Sequence, residues 1–190
     1  MDDSSSQARL ILGITGASGM IFLKSFLNTL ADVDIIVHGI CSEAGIKVME
    51  TELGFYPGDL HGVAKWFEAD DFAAAPASGS SDYSSMVILP CTMGTLAAVA
   101  AGLTINLIHR AADVMLKEKK KLVMAVRETP LNRTHLKNML AVNDAGAVIC
   151  PIMPGFYLQP KTLEEVAQIY SWRLADQLGI KIPKRKRWGK

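Results

Sequence analysis

The sequence predicts an open α/β fold, a parallel sheet with helices on both faces. Three observations carry that expectation. Short apolar runs recur without polar alternation, at Leu10–Ile14, Val33–Cys41, Met86–Pro90, Leu122–Val126 and Ala147–Cys150. Strands buried on both faces read this way. Helical patterns separate or follow these runs, and a glycine-rich turn joins the first run to the first helix, as parallel α/β units require.

Each element has its own signal. After Leu10–Ile14 a helical spacing runs through Ile21, Phe22, Ser25, Phe26 and Leu30. Val33–Cys41 is rich in β-branched residues, and a helix-like stretch follows over Ala44–Leu53. Glu68–Ser85 is rich in Asp, Ala, Ser and Gly and reads as a long loop, functional or disordered. Met86–Pro90 is the third strand, and helices are expected near 93–101 and 106–118. Leu122–Val126, a helix near 133–143 and Ala147–Cys150 come next. The last helix, 162–178, opens on a capping box of Thr162 and Glu165. With no internal repeat and no linker, one domain is expected over 1–190. It would carry a short disordered segment (1–8) and a basic tail (181–190).

Composition excludes several classes. Of 190 residues, 49% are hydrophobic and 21% charged, the mix of an ordinary soluble core. A disordered, collagen-like or disulfide-stapled chain would look different. No apolar run approaches the roughly 20 residues that span a bilayer. Met1-Asp2-Asp3-Ser4-Ser5-Ser6 is the reverse of a secretory signal, and Cys41, Cys91 and Cys150 lack CxxC spacing, so a reducing cytoplasm is expected. His38, His61, His109 and His135 show no ligand spacing, so no metal is expected. Six of the 20 basic residues and none of the 19 acidic ones fall in the last ten positions. That tail reads as solvated or in contact with another subunit. No basic stripe interleaved with aromatics points to nucleic acid.

Gly13-Ile14-Thr15-Gly16-Ala17-Ser18-Gly19 follows the first strand and opens the first helix. Small residues let an anion approach the free N–H groups of a helix N-terminus, although a purely structural turn would use the same residues. The GxxGxxG spacing also suits a nicotinamide-dependent short-chain dehydrogenase. Such an enzyme wants an acid at the end of the second strand, where this chain has Cys41-Ser42. A mononucleotide with one phosphate, such as FMN, fits better.

Chemistry gathers where strands end. Pro90-Cys91-Thr92-Met93-Gly94-Thr95 and Arg127-Glu128 each close a strand at its carboxyl end, where ligands bind in such sheets. Thr92 also suits a helix N-cap. Arg110 and Lys117 share one helix face about 10 Å apart, with Asp113 between them able to form an ordinary surface ladder. Gly155-Phe156-Tyr157 follows the fifth strand. Arg173 lies close to the apolar stripe of Ile169 and Tyr170. The three cysteines sit at strand ends and read as small buried hydrophobes.

Taken in order, Gly16-Ala17-Ser18-Gly19, Ala77-Ser78-Gly79-Ser80-Ser81, Pro90–Thr95, Arg110-Ala111-Ala112-Asp113-Val114, Leu116-Lys117-Glu118, Val126–Pro130 and Pro154–Tyr157 resemble the UbiX-type flavin prenyltransferases from Ile11 to Ile180. The resemblance implies a flavodoxin-like (Rossmann-like) fold assembled as a dodecamer. It implies an enzyme that joins the dimethylallyl group of dimethylallyl phosphate to N5 and C6 of reduced FMN without a metal. The prenylated FMN would serve UbiD-type decarboxylases, in ubiquinone biosynthesis or aromatic-acid decarboxylation. FMN would contact Gly16, Ala17, Ser18, Ser42, Thr92, Met93, Gly94, Thr95 and Arg127. The prenyl phosphate would be held by Lys117, Tyr157 and Arg173, with Arg110 nearby. Ser18 relaying to Glu52 would take the proton at ring closure, and Glu128 would protonate the departing phosphate. Phe72 stands where some members have tryptophan, which leaves an aromatic in place, and His109 stands where an acid often precedes the arginine, outside this functional set. A short-chain dehydrogenase and a non-catalytic FMN carrier subunit of an aromatic-acid decarboxylase are the competing readings.

Overall fold

The computed structural model describes residues 7–183 together with Arg185, Arg187 and Gly189. Six strands form one sheet: β1 (Ala8–Ile14), β2 (Ile35–Cys41), β3 (Lys65–Phe67), β4 (Tyr83–Cys91), β5 (Lys121–Val126) and β6 (Val148–Ile149). The order is β3-β2-β1-β4-β5-β6, and every pairing is parallel. Without the short edge strand β3, the remaining five follow the flavodoxin-like order. Six helices connect and cover them: α1 (Met20–Leu30), α2 (Glu43–Leu53), α3 (Met93–Ala100), α4 (Leu107–Lys117), α5 (Arg133–Asp144) and α6 (Leu163–Leu178).

Successive strand side chains point to opposite faces, so each central strand feeds two cores. Ile11, Met86, Ile88 and Met124 pack with Leu96 of α3 and Leu107, Ile108 and Met115 of α4. Leu10, Leu12, Val87, Leu89 and Val123 pack with Leu23 and Phe26 of α1 and Tyr170 and Leu174 of α6. The sheet therefore separates α4 from α6.

The five expected strands are present, with shifted ends. β4 starts at Tyr83, inside the expected loop, and β6 is confined to Val148–Ile149. Cys150 still donates its N–H to the Met124 carbonyl (2.9 Å). The strand β3 was not expected. It is three residues long, and Trp66 lies against Gly39, where a Cβ would sit 2.3 Å from the indole ring. The 68–85 segment is built rather than loose: it forms a 3₁₀ turn over Ala75–Ala77 with Pro76 buried.

At the amino end, Ala8 already pairs with Ile35, so β1 begins inside the expected terminal segment; residues 1–6 of that segment lie outside the described residues. At the carboxyl end, Arg185 departs from a solvated tail. Its Nη1 donates to the Trp172 carbonyl (3.0 Å), its Nη2 pairs with Asp176, and its side chain is 4% exposed. Lys184, Lys186 and Lys190 lie outside the described residues.

Gly39→Ala is expected to push Trp66 out and loosen β3. Overpacking of this kind costs about 1–3 kcal/mol. A urea midpoint that falls at unchanged slope supports this packing, and an unchanged midpoint contradicts it.

Candidate active site at the carboxyl ends of the strands

The chain steps from β1 to β2 on one side and later returns to β4 on the other. That reversal opens a crevice beyond the carboxyl ends of β1 and β4. Thr15, 3% exposed, joins its two walls. Its hydroxyl donates to the Pro90 carbonyl (2.8 Å) and accepts from the Thr92 N–H (2.9 Å). The Ser42 N–H donates to the Ile14 carbonyl (3.0 Å), which fixes the start of α2 to the same turn. Ser42 and Thr92 cap their helices, accepting from the N–H groups of Gly45 and Thr95 (both 3.1 Å). Gly16 presses on α2, where a Cβ would meet that of Ala44 at 2.5 Å. Gly16, Ala17, Ser18, Ser42 and Thr92–Thr95 are thus assembled at one mouth.

The first turn of α1 is already occupied by an anion. Glu52, from the last turn of α2, accepts from the N–H groups of Gly19 (2.9 Å) and Met20 (2.8 Å). An anion expected at Gly16–Gly19 is therefore left with the Gly16–Ser18 part of the loop. Burial pushes the Glu52 pKa up, but the Ser18 side chain, the two N–H groups and the Arg127 charge outweigh it and hold the carboxyl below its ordinary value. Glu52 stays ionised and ready to accept a proton, as a weaker base than an unperturbed carboxylate. Arg127 donates its N–H to the Cys91 carbonyl (3.1 Å) and its Nε to the Ser18 carbonyl (3.2 Å). Ser18, Glu52 and Arg127 form one cluster.

Two grooves flank the segment after β6. One, of about 390 Å³, is lined by Met93, Arg127, Glu128 and Leu131. The other, of about 350 Å³, is lined by Cys150, Tyr157, Tyr170, Arg173 and Gln177. They share Pro151 and Met153. In the second groove the Gln177 amide faces the Arg173 guanidinium, and with its oxygen turned toward the guanidinium it accepts from Nη1 and Nη2 (3.1 and 3.2 Å). A Gly155 Cβ would lie 2.8 Å from the Tyr157 ring, so glycine is what lets that phenol fold over the turn. Glu128 is exposed and accepts from the Thr129 N–H (3.0 Å).

Arg110 and Lys117 are not in these grooves. Arg110 pairs with Asp113 (2.8 Å) and donates its Nε to the Ala77 carbonyl (3.1 Å). Lys117 pairs with Glu118 beside Gly79. Both lie on α4, across the sheet from α6, so one chain does not gather them with Tyr157 and Arg173. Sequence reasoning also missed Thr15, Tyr170 and Gln177. A signal existed for Gln177, which stands one helical turn after Arg173.

The thiols are not poised as nucleophiles. Burial pushes Cys41 up to about 12 and raises Cys91 as well. Among the described residues, no group of three or more His, Cys, Asp or Glu side chains converges, and no helix is long and apolar enough to cross a membrane.

Comparison with known proteins gives concordant results. The model of the Flavoprotein family matches residues 1–173. A probable UbiX-like flavin prenyltransferase of Bacillus subtilis is 42% identical over 183 residues, 96% of this chain and 90% of that protein. The crystal structure of AnUbiX in complex with FMN and dimethylallyl pyrophosphate superposes with a TM-score of 0.93 at 34% identity, covering 97% of this chain and 98% of that one. A structure described as a dodecameric FMN-dependent UbiX-like decarboxylase from Escherichia coli O157:H7 gives 0.91 at 36% identity, covering 96% and 100%.

The Glu52 contact has a pH signature. Its folded pKa is lowered, so its stabilisation is present above the unfolded value near 4.5 and is lost as pH falls through the folded one. Glu52→Gln removes that ionisation. Urea melts between about pH 3 and pH 7 are expected to show the stability gap between wild type and variant closing toward the acid end. A gap independent of pH would contradict this.

Proposed function

The chain belongs to the UbiX flavin prenyltransferases within the Flavoprotein family, and from that premise we propose how its residues divide the work. It is a prenyltransferase acting on FMN, joining a dimethylallyl group to the reduced flavin. The observation that carries the assignment of roles is the pair of contiguous grooves, one beside the Arg127 cluster and one lined by Tyr157 and Arg173.

The flavin would lie across Gly16–Ser18, Ser42, Thr92–Thr95 and Arg127. The fit rests on the hydroxyls and glycine approach at that mouth, with Ser42 where a dinucleotide enzyme places its acid. Dimethylallyl phosphate would place its phosphate against Arg173 and Tyr157. A guanidinium fixed by Gln177 and a phenol stabilise the charge that develops as phosphate leaves, with no metal required. Met93 and Met153 line the grooves where the electrophilic carbon fragment must be kept from water. Ser18, next to ionised Glu52, would pass on the proton released at ring closure. Glu128, exposed at the groove edge, would return a proton to the phosphate.

Arg110 and Lys117 fit the reaction through a neighbouring copy. We assign the chain to a closed homo-oligomer, a dodecamer as described for the Escherichia coli relative, in which the α4 of one copy faces the phosphate groove of another. Met153 and Phe156, 74% and 68% exposed beside that groove, give it an apolar surface to cover. The product would pass to a UbiD-type decarboxylase in the cytoplasm, for ubiquinone biosynthesis or aromatic-acid decarboxylation. A non-catalytic carrier would have no use for Arg173 and Tyr157 in a second groove.

Incubated with reduced FMN and dimethylallyl phosphate in the presence of a chelator, the protein is expected to yield flavin heavier by one dimethylallyl unit. Arg173→Ala should weaken donor binding about ten- to a hundredfold, as loss of a hydrogen bond to a charged group does, and leave FMN bound. Loss of FMN by this variant, or no transfer without added metal, would contradict the assignment.

A further inference from the structure

We infer that Tyr170 is a positioning residue for the donor groove, setting the separation between the segment that carries Tyr157 and the helix that carries Arg173. The inference rests on the assignment of those two residues to the prenyl phosphate. Tyr170 is 2% exposed on α6, three residues before Arg173 and so nearly one turn from it. Its hydroxyl donates to the Cys150 carbonyl (2.7 Å) and lies 3.8 Å from the Cys150 sulfur. Cys150 is the first residue beyond β6, and its own N–H is held by Met124 of β5 (2.9 Å). The strut thus runs from the sheet, through the Cys150 peptide, to α6.

The ring and the hydroxyl have separable jobs. The ring packs edge-on against Phe22 of α1, with centroids 5.3 Å apart and planes at 79°. With Leu174, Ala175 and Leu178 also buried, α6 is seated on its core without help from the hydroxyl. The hydroxyl adds no apolar area, and it joins two residues that both line the donor groove. Burial raises its pKa, so it remains a hydrogen-bond donor. A phosphate gripped by a guanidinium from α6 and a phenol from the facing segment needs those two groups at a fixed spacing. Small misplacements of positioning groups are costly to rate.

The test compares two hydroxyl deletions on the same helix. Tyr170→Phe keeps the ring and removes only the strut. Ser171→Ala removes a fully buried hydroxyl that donates to the Ala167 carbonyl (2.8 Å) and lies within hydrogen-bond distance of Ser25 Oγ (3.1 Å), on the side facing α1. In the full-length oligomer, Tyr170→Phe is expected to lower kcat/KM for dimethylallyl phosphate about ten- to a hundredfold, mostly through KM, with unchanged FMN affinity. Ser171→Ala should leave the donor KM at the wild-type value. A wild-type donor KM in Tyr170→Phe, or an equal rise in Ser171→Ala, would overturn the positioning role. Titration of wild type with dimethylallyl phosphate separates the two levels. If wild type does not bind the donor, the donor assignment and the inference both fall. If it binds and Tyr170→Phe binds equally well, only the inference falls.

Discussion

One buried hydroxyl holds the crevice together. Strands β1 and β4 are neighbours in the sheet, yet Thr15 and Pro90 are 75 residues apart along the chain. From the β1 side of that seam the Thr15 hydroxyl binds the β4 side twice, donating to the Pro90 carbonyl and accepting from the Thr92 N–H. Without it the Thr92 N–H would lose its acceptor, at about 1–3 kcal/mol, and the Pro90 carbonyl would keep only the longer bond from the Thr15 N–H (3.3 Å). The rest of the site is referenced to this clasp. It fixes where the Gly16–Ser18 loop leaves β1 and where α3 starts. Arg127 then hooks onto the Ser18 carbonyl from the next strand over.

The electrostatics follow from how the helix ends are used. An N-terminus attracts anions, and α1 satisfies that preference with its own protein carboxylate. Glu52 on Gly19 and Met20 ties α2 to α1 and remains charged because Ser18, two N–H groups and Arg127 all favour the ion. Neither α1 nor α3 carries an acidic residue in its own first turn, and at α3 the Thr95 N–H is capped by the neutral Thr92 hydroxyl instead. On the proposed assignment an anionic ligand would meet the loop and the α3 start, with Arg127 beside them, while Glu52 would accept a proton.

Much of this was legible in the sequence, and what was not has identifiable causes. Long buried strands announce themselves, so the five main ones and the glycine turn were readable. β3 was not, because Lys65-Trp66-Phe67 is too short to show a period and depends on Gly39 in a neighbouring strand. Tyr83-Ser84-Ser85 reads as polar loop although Tyr83 and Ser85 are buried. The strand-end motifs pointed to the crevice beyond the carboxyl ends of β1 and β4, where the structure brings Gly16–Ser18, Ser42 and Thr92–Thr95 together. The Glu52 contact joins residues more than 30 apart along the chain, and no local pattern encodes it. Helical spacing likewise shows that Arg110 and Lys117 share a face of α4, but not that the sheet separates that face from Arg173.

That separation is the central physical feature of the proposed site: the cations assigned to one phosphate lie on opposite faces of a single chain. Subunit complementation tests it most directly. At a donor concentration that only just saturates wild type, Lys117→Ala and Arg173→Ala are each expected to be nearly inactive in prenyl transfer. Dissociated, mixed in equal amounts and reassembled, they should recover activity at about a quarter of the sites, those taking the intact lysine from one copy and the intact arginine from another. Mixed oligomers that form but stay as inactive as either parent would contradict a site shared between copies.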